Sequence, residues 1–446
     1  MISASYGNMS LLQYQHVHTN KLLEALNHGN YALDCSDTGT GKTYTSCYIA
    51  RQLKRKMVVI CPKSVISSWT KVAKVFDVEI CGVSNYESMI YGNWYTADGK
   101  KGDCPYLSRS QGNQFTWTLP TDTLVVFDEV HRCKNSKTQN AQMLISLKEQ
   151  EDVNVGVKVL LLSATIADKP KLFQVFAYCL GLCRSVHLYT IFMKRLQQMA
   201  PDRPPMFLLH RLVFAKHGSR MRISELGSQF PRNQILPDCY SMGQEAELEI
   251  QRRYEYINTV MQEAKTNREK ASIKLVELLR ARQQIEALKL PTLIEMARDH
   301  MDSGMSVVLF VNFSDSLKLL ADHLQCKCLI HGEQSKQERD NAIEAFQSNR
   351  ERLIICNIRS GGVGISLHDV HGGHPRVSII SPSWSAQDLM QALGRIHRAG
   401  GKTPALQKMV YCSNTVEEDI CKVIQGKFDH YAQLNDGADQ SNISIT

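Results

Sequence analysis

Several familiar signals are missing from this 446-residue sequence. It contains no run of about 20 apolar residues, so no membrane-spanning helix is expected. Its opening residues, Met1 to Gln15, show no basic stretch followed by an apolar core. A secretory leader is therefore not expected, and the chain reads as intracellular: nucleus, cytoplasm, or a viral factory or virion. None of the 14 cysteines forms a C-x-x-C pair; the nearest spacings are Cys326/Cys328 and Cys179/Cys183. Inside a cell these read as reduced, mostly buried thiols, with zinc the lesser alternative. The N-x-S matches at Asn8 and Asn442 then carry no sugar, because glycosylation needs a secretory route. Neither a short-period repeat nor a sustained heptad is visible.

What is present is ordinary for a globular protein: 43% hydrophobic and 22% charged residues. The length exceeds one comfortable core, so two or three domains are expected. Lys and Arg number 52 against 44 Asp and Glu, a net charge of +8. That mild excess suits a polyanion partner and equally a solvated basic surface.

Short, continuous apolar runs recur: Tyr31–Cys35, Met57–Cys61, Thr123–Phe127 and Val159–Leu162, then Val307–Val311, Arg352–Cys356, Val377–Ile380 and Lys408–Cys412. Continuous rather than alternating runs mark strands buried on both faces, as in parallel sheets covered by helices. Helical segments such as "TNKLLEALNHG" and "SDSLKLLADHL" separate them, so the pattern is βαβ, stated twice. The fold class is α/β. From Gln244 to about Met301, Glu, Lys, Arg, Gln and Leu dominate with a single proline, Pro291, which predicts long helices. Tyr91 to Thr118 is polar and aperiodic and reads as a surface insertion. The polar stretch from Asn435 to Thr446 reads as a disordered tail.

Chemistry first surfaces at "CSDTGTGKTYT", Cys35 to Thr45. A strand precedes this loop and a helix follows it, the setting a phosphate-binding loop requires. Gly39 and Gly41 let the backbone turn its N–H groups inward, and the helix N-terminus adds a positive dipole end. Thr38, Gly39, Thr40 and Gly41 would cradle phosphates, Lys42 would reach the β- and γ-phosphates, and Thr43 would hold Mg2+. Ser36 stands where the usual G-x-x-x-x-G-K-[ST] pattern has its first glycine. A second apolar run ends in "DEVH", Asp128 to His131. An acid at the end of a parallel strand is where a Mg2+ partner belongs, so Asp128 would hold the metal and Glu129 would activate the attacking water. Hydrolysis of ATP or GTP follows.

These motifs and those after them resemble superfamily 2 helicases, and within them the SWI/SNF-type DNA-dependent ATPases, in the compact form of giant-virus or phage enzymes. "LLQYQ" resembles the adenine-contacting motif, with Gln15 as base reader. "VVICPKSVISSW" and "VSNYESM" are similar to motifs Ia and Ib. "DEVHRCKN" resembles the SWI/SNF form of motif II, while "LLLSATI" is the general helicase form of motif III rather than that subfamily's. "VVLFVNFSDSL", "NIRSGGVGISLHD" and "SWSAQDLMQALGRIHRAGG" resemble motifs IV, V and VI.

The resemblance implies two tandem RecA-like domains. It places lobe 1 over residues 1–232, a helical inter-lobe region over 233–300, lobe 2 over 301–434 and a tail over 435–446. It implies ATP and Mg2+ as cofactors, with Arg395 and Arg398 as arginine fingers opposite Lys42, and Gly364 beside the nucleotide. His131, Ser163, Thr165 and Gln391 would couple ATP to a nucleic acid held at Lys63, Ser64, Ser67, Arg359 and Ser360. For each of these five, an ordinary surface position is the plain alternative. The segment "HRLVFAKHGSRMR", His210 to Arg222, reads as a DNA contact or a solvated element, and Trp384 reads as packing. The expected activity is translocation on nucleic acid, most simply DNA, by a monomer that works beside transcription or replication proteins. A strand-separating DNA or RNA helicase is the alternative; no wedge hairpin or base-reading module is visible to favour it. A nucleotide-dependent scaffold without turnover is disfavoured, since Lys42, Thr43, Asp128, Glu129, Arg395 and Arg398 are all present.

Overall fold

The computed structural model describes residues 11–96, 99–110, 114–226, 230, 233–266, 271–361, 364–382 and 385–438. Sixteen strands occur among them: β1 Tyr31–Asp34, β2 Lys56–Cys61, β3 Ile80–Asn85, β4 Asn93–Tyr95, β5 Lys101–Asp103, β6 Leu107–Arg109, β7 Phe115–Trp117, β8 Thr123–Asp128, β9 Lys158–Leu162, β10 Gly218–Ser219, β11 Asn233–Tyr240, β12 Ser306–Val311, β13 Cys328–Ile330, β14 Leu353–Asn357, β15 Arg376–Ile380 and β16 Ala405–Cys412. All eight strands expected from continuous apolar runs are present. β3, β10, β11 and β13 were not expected, because their apolar stretches are short or broken by polar residues.

Two larger sheets carry the architecture, one in the order β10-β1-β9-β8-β2-β3-β4-β5 and one in the order β11-β16-β15-β12-β14-β13; β6 and β7 form a separate pair. Pairing is parallel except at β3–β4, β4–β5 and β6–β7. The chain divides into two compact units: the chain up to Gly227 with the segment beginning at Phe428, and Ser228–Lys427.

Burial explains the unbroken strands. In the first sheet Leu33, Val125, Phe127, Val159 and Leu161 pack into one apolar cluster, while Ala32, Leu124, Val126, Leu160 and Leu162 pack into another. Successive side chains of a strand point to opposite faces, so both faces are dry. In the second sheet Val307, Leu309, Ile355, Val377 and Ile379 meet Leu293, Ala297, Leu317 and Leu320 from flanking helices. The Glu- and Lys-rich middle forms helices Gln244–Thr266 and Ala271–Asp302, the second running through Pro291.

Two expectations change. The stretch Tyr91–Thr118 is not a superficial insertion: Trp94, Leu107, Phe115 and Trp117 are buried in the first unit's core. β4 and β5 extend the main sheet, and the Trp117 indole donates to the Met143 carbonyl at 3.1 Å. Few but large side chains anchor a polar segment, a pattern that periodicity does not register. Asn435 is not the start of a disordered stretch. The helix Glu417–Asp436 includes Asn435, which is 2% exposed and donates to the Ala164 carbonyl at 2.9 Å. Both N-x-S sites and Trp384 lie outside the described residues. Among the described residues no helix is long and apolar enough to cross a membrane.

Candidate nucleotide site and motor motifs

Strand register brings three motifs of the first unit together. Asp34 of β1 and Asp128 of β8 both stand level with Leu162 of β9 between them. The loops that follow these strands therefore open side by side at the carboxyl ends of a parallel sheet, where ligands of such sheets bind.

After β1 the chain turns through Cys35–Gly41 into the helix Lys42–Gln52. Gly39 (φ 86°) and Gly41 (φ 96°) hold left-handed backbone, which favours glycine. A Cβ at Gly41 would also run into the Gln15 amide. Gln15 is buried, accepts from Leu12 N at 3.0 Å and donates to the Thr40 carbonyl at 2.9 Å, so it braces the loop. Thr40 in turn donates to the Asp37 carbonyl at 2.8 Å. Lys42 Nζ lies over the loop, donating to the carbonyls of Ser36 (2.8 Å) and Asp37 (3.1 Å). Thr38 and Thr43 are half-buried on the loop and in the first helical turn.

Ser36 now has a reason. Its Oγ accepts from Met221 N at 3.0 Å and lies 3.4 Å from His18 Nε2. His18 pairs with Asp34 at 3.0 Å, and its Nδ1 lies 2.9 Å from Ser219 Oγ. A glycine would leave this buried knot short of one hydroxyl. Burial raises the cost of ionising Asp34, but His18 and Lys42 beside it more than offset that, so its carboxyl titrates below the ordinary 3.8.

At the end of β8, Asp128 accepts from the Trp69 indole at 3.0 Å, and its carbonyl accepts from Tyr86 Oη at 2.8 Å. Burial and then the neighbouring Glu129 push its carboxyl up to about 7, with Trp69 and Lys42 acting in the opposite sense. Glu129 itself sits in left-handed backbone (φ 54°), an uncommon conformation for a non-glycine residue. Its Oε2 is 3.2 Å from His131 Nδ1, which is 2.9 Å from Ser163 Oγ. Ser163 Oγ accepts from Thr165 N at 3.1 Å, and Ser163 N donates to the Asp34 carbonyl at 3.0 Å. The residues expected from motifs II and III thus share one hydrogen-bonded chain that returns to β1.

In the second unit, Gln391 is buried in the helix Ala386–Leu393. Arg395, also buried, donates from Nε to the Gln391 carbonyl (2.9 Å) and from Nη1 to the Ile365 carbonyl (3.2 Å). Arg398 donates to the Gly394 carbonyl (3.0 Å) and to Ser366 Oγ (2.9 Å). Gly364 (φ 73°) is exposed just before that stretch. Arg359 is exposed, and the Ser360 carbonyl accepts from Arg339 at 2.9 Å. Lys63 and Ser64 are exposed in a short turn and Ser67 is half-buried in the first turn of the helix Ile66–Val75. Within the basic segment ending at Arg222, Arg220 and Arg222 are engaged by acids: Arg220 by Asp37 and Asp436, Arg222 by Glu225 and Asp436. Sequence reasoning missed Trp69, Tyr86, His18, Asp34 and Arg220. Each meets the site from 18 to 183 residues away or hides in a strand, so no local spacing marks it.

An α/β chain of two parallel-sheet units, with a phosphate-loop geometry and an acid pair at the end of a strand one removed in the same sheet, defines an ATPase of the tandem RecA-like class. Comparisons with known proteins carry this further. The family profile "Helicase conserved C-terminal domain" matches residues 288–400, and "Type III restriction enzyme, res subunit" matches residues 8–168. A protein of Acanthamoeba polyphaga mimivirus, L364, whose assignment as an ATP-dependent RNA helicase is itself an inference, is 33% identical over 96% of this chain and 84% of its own. Bacillus subtilis YqhH, an uncharacterised ATP-dependent helicase, is 23% identical over 93% of this chain and 77% of its own. The human SWI/SNF-related regulator of chromatin subfamily A member 1 is 32% identical over 27% of this chain and 12% of its own. Yeast Dbp5, solved bound to RNA and ADP BeF3, has a TM-score of 0.50 at 14% identity, covering 95% of this chain and 92% of that one. The chain belongs to the superfamily 2 helicases, ATP-hydrolysing motors of nucleic acid.

Proposed function

We propose that this motor translocates on DNA, in the manner of SWI/SNF-type ATPases, and is fuelled at the loop Ser36–Thr43. The observation that carries the fuel site is the level register of Asp34, Leu162 and Asp128, which puts the lysine loop, the acid pair and the Ser163 relay at one edge. Lys42 exchanges its carbonyl partners for the β- and γ-phosphates, Gln15 fixes the loop and reads adenine, and Glu129 takes the proton of the attacking water. The His131–Ser163 link passes the state of that carboxylate to the motif III loop, Ala164 and Thr165. Arg395 and Arg398 act on the charge that builds on the departing γ-phosphate, with Gly364 beside the nucleotide and Gln391 in the coupling.

A divalent cation fits the first-unit donors. The Thr43 hydroxyl and Asp128 carboxylate are hard oxygen ligands, and desolvation followed by the nearby Glu129 makes Asp128 costly to ionise without a cation. Mg2+ held there would neutralise phosphate charge. Lys63, Ser64, Ser67, Arg359 and Ser360 supply phosphate contacts on the nucleic acid. The DNA reading is supported by partial matches to DNA-repair and chromatin-remodelling proteins. We place the work inside the cell, by a monomer acting beside transcription or replication proteins.

The second reading, strand separation on DNA or RNA, draws support for its RNA form from the assignment of the mimivirus relative. The deciding experiment is ATPase stimulation by duplex DNA, single-stranded DNA and RNA, run beside a strand-displacement assay. Stimulation by duplex DNA without displacement is the expected result. Stimulation by RNA alone, or displacement in step with ATP turnover, transfers the conclusion to the second reading.

A further inference from the structure

The phosphate loop is held from behind by a segment that its chemistry does not require. Beyond β10 the chain runs alongside the loop. Asp37 N donates to the Met221 carbonyl at 3.0 Å, and Ile223 N donates to Asp37 Oδ2 at 2.9 Å. Arg220 stands just before them. Its Nη2 meets Asp37 Oδ1 at 2.7 Å, and its Nε meets Asp436 Oδ1 at 2.8 Å. One planar guanidinium thus joins the phosphate loop to the last residue of the helix Glu417–Asp436. Arg222 holds the same carboxylate oxygen at 2.7 Å. One residue earlier, Asn435 bonds the Ala164 carbonyl, so that same turn touches the loops after both β1 and β9.

Helix stability alone does not call for this. An acid in a last turn opposes the helix dipole unless cations compensate it. Likewise, a carboxylate in a phosphate loop repels the ligand unless it is neutralised. Arg220 answers both with a fixed fork that a lysine cannot reproduce.

We propose that Arg220 is a positioning residue of the phosphate loop, set in place by Asp436, which makes the last turn of the final helix a working part of the ATP site. This rests on the reading that the Lys42 loop binds ATP. When Asp436 is neutralised, Arg220 loses the partner that fixes its fork, and Asp37 turns its charge toward the phosphates. Affinity for nucleotide falls while the chemical step, which uses Glu129, is spared.

The test is titration of the full-length chain with a fluorescent ATP analogue, together with steady-state kinetics and amide exchange. D436N is expected to raise Kd and KM about tenfold, because the close ion pair that holds Arg220 is lost, with kcat little changed. R220Q is expected to do the same, and D37N in the R220Q background to recover affinity, because no charge then needs neutralising. In the unmodified protein, nucleotide is expected to slow exchange at residues 430–436. Wild-type affinity in D436N, or R220Q weakness that D37N does not relieve, overturns the proposal. Should the variants not fold, exchange at 430–436 that ignores nucleotide overturns it in the native chain. K42A separates the two readings: if it binds nucleotide normally, the loop is not the ATP site; if it alone loses binding, only the Arg220 proposal fails.

Discussion

Ser36 shows how a departure from a pattern becomes legible only in three dimensions. Its hydroxyl serves Met221 N inside a buried knot, so restoring the consensus glycine removes an acceptor without adding a phosphate donor. S36G should therefore lower stability by about 1–3 kcal/mol with no gain in ATP affinity, as read from urea midpoints and nucleotide titration. The neighbouring Asp34 gives a pH signature. Its folded carboxyl titrates below 3.8, so the stability it contributes is complete above that value and is lost as pH falls through the lower one. D34N should cost about 1–3 kcal/mol at neutral pH, since Ser36 N and His18 lose the buried carboxylate they face. The gap from wild type should close only below pH 3.8, which denaturation curves at several pH values check. At Glu129, replacement by Gln keeps the 3.2 Å approach to His131 within reach but removes the base. E129Q should bind ATP and turn over too slowly to measure; retained turnover would point to another base.

At the level of elements, burial sorted the strands correctly because parallel strands covered on both faces must be apolar throughout. The same logic misjudged Tyr91–Thr118, where composition is polar and only a few aromatic residues carry the anchoring. Trp117 is fully buried, with its indole nitrogen satisfied by the Met143 carbonyl. W117A should destabilise the first unit by about 3–5 kcal/mol through the cavity it leaves, measured by thermal unfolding. A merely superficial insertion would lose almost nothing. The final helix teaches the converse. Its polar last turn looked dispensable in sequence, yet Asn435 and Asp436 find partners at the loops after β9 and β1.

For the whole molecule, the first unit is discontinuous: it takes back the end of the final helix from Phe428, and Leu434 lies in its core. Truncation after Lys427 should therefore lower the unfolding temperature of the first unit and weaken ATP binding together, in calorimetry and titration on the shortened chain. A loss confined to residues 228–427 would contradict this. The sequence by itself determined the α/β class, the eight apolar strands and the order of the motifs, because burial on both faces and phosphate chemistry each impose a local pattern of residue types. Tertiary structure alone decided that Trp69 and Tyr86 hold Asp128, that Ser36 belongs to a knot with His18, and that Arg220 ties the phosphate loop to Asp436. Those contacts join polar or aromatic side chains 18 to 216 residues apart in sequence. One hydrogen bond between distant residues imposes no periodicity on the chain, so only the folded register of strands and helices brings the partners within reach.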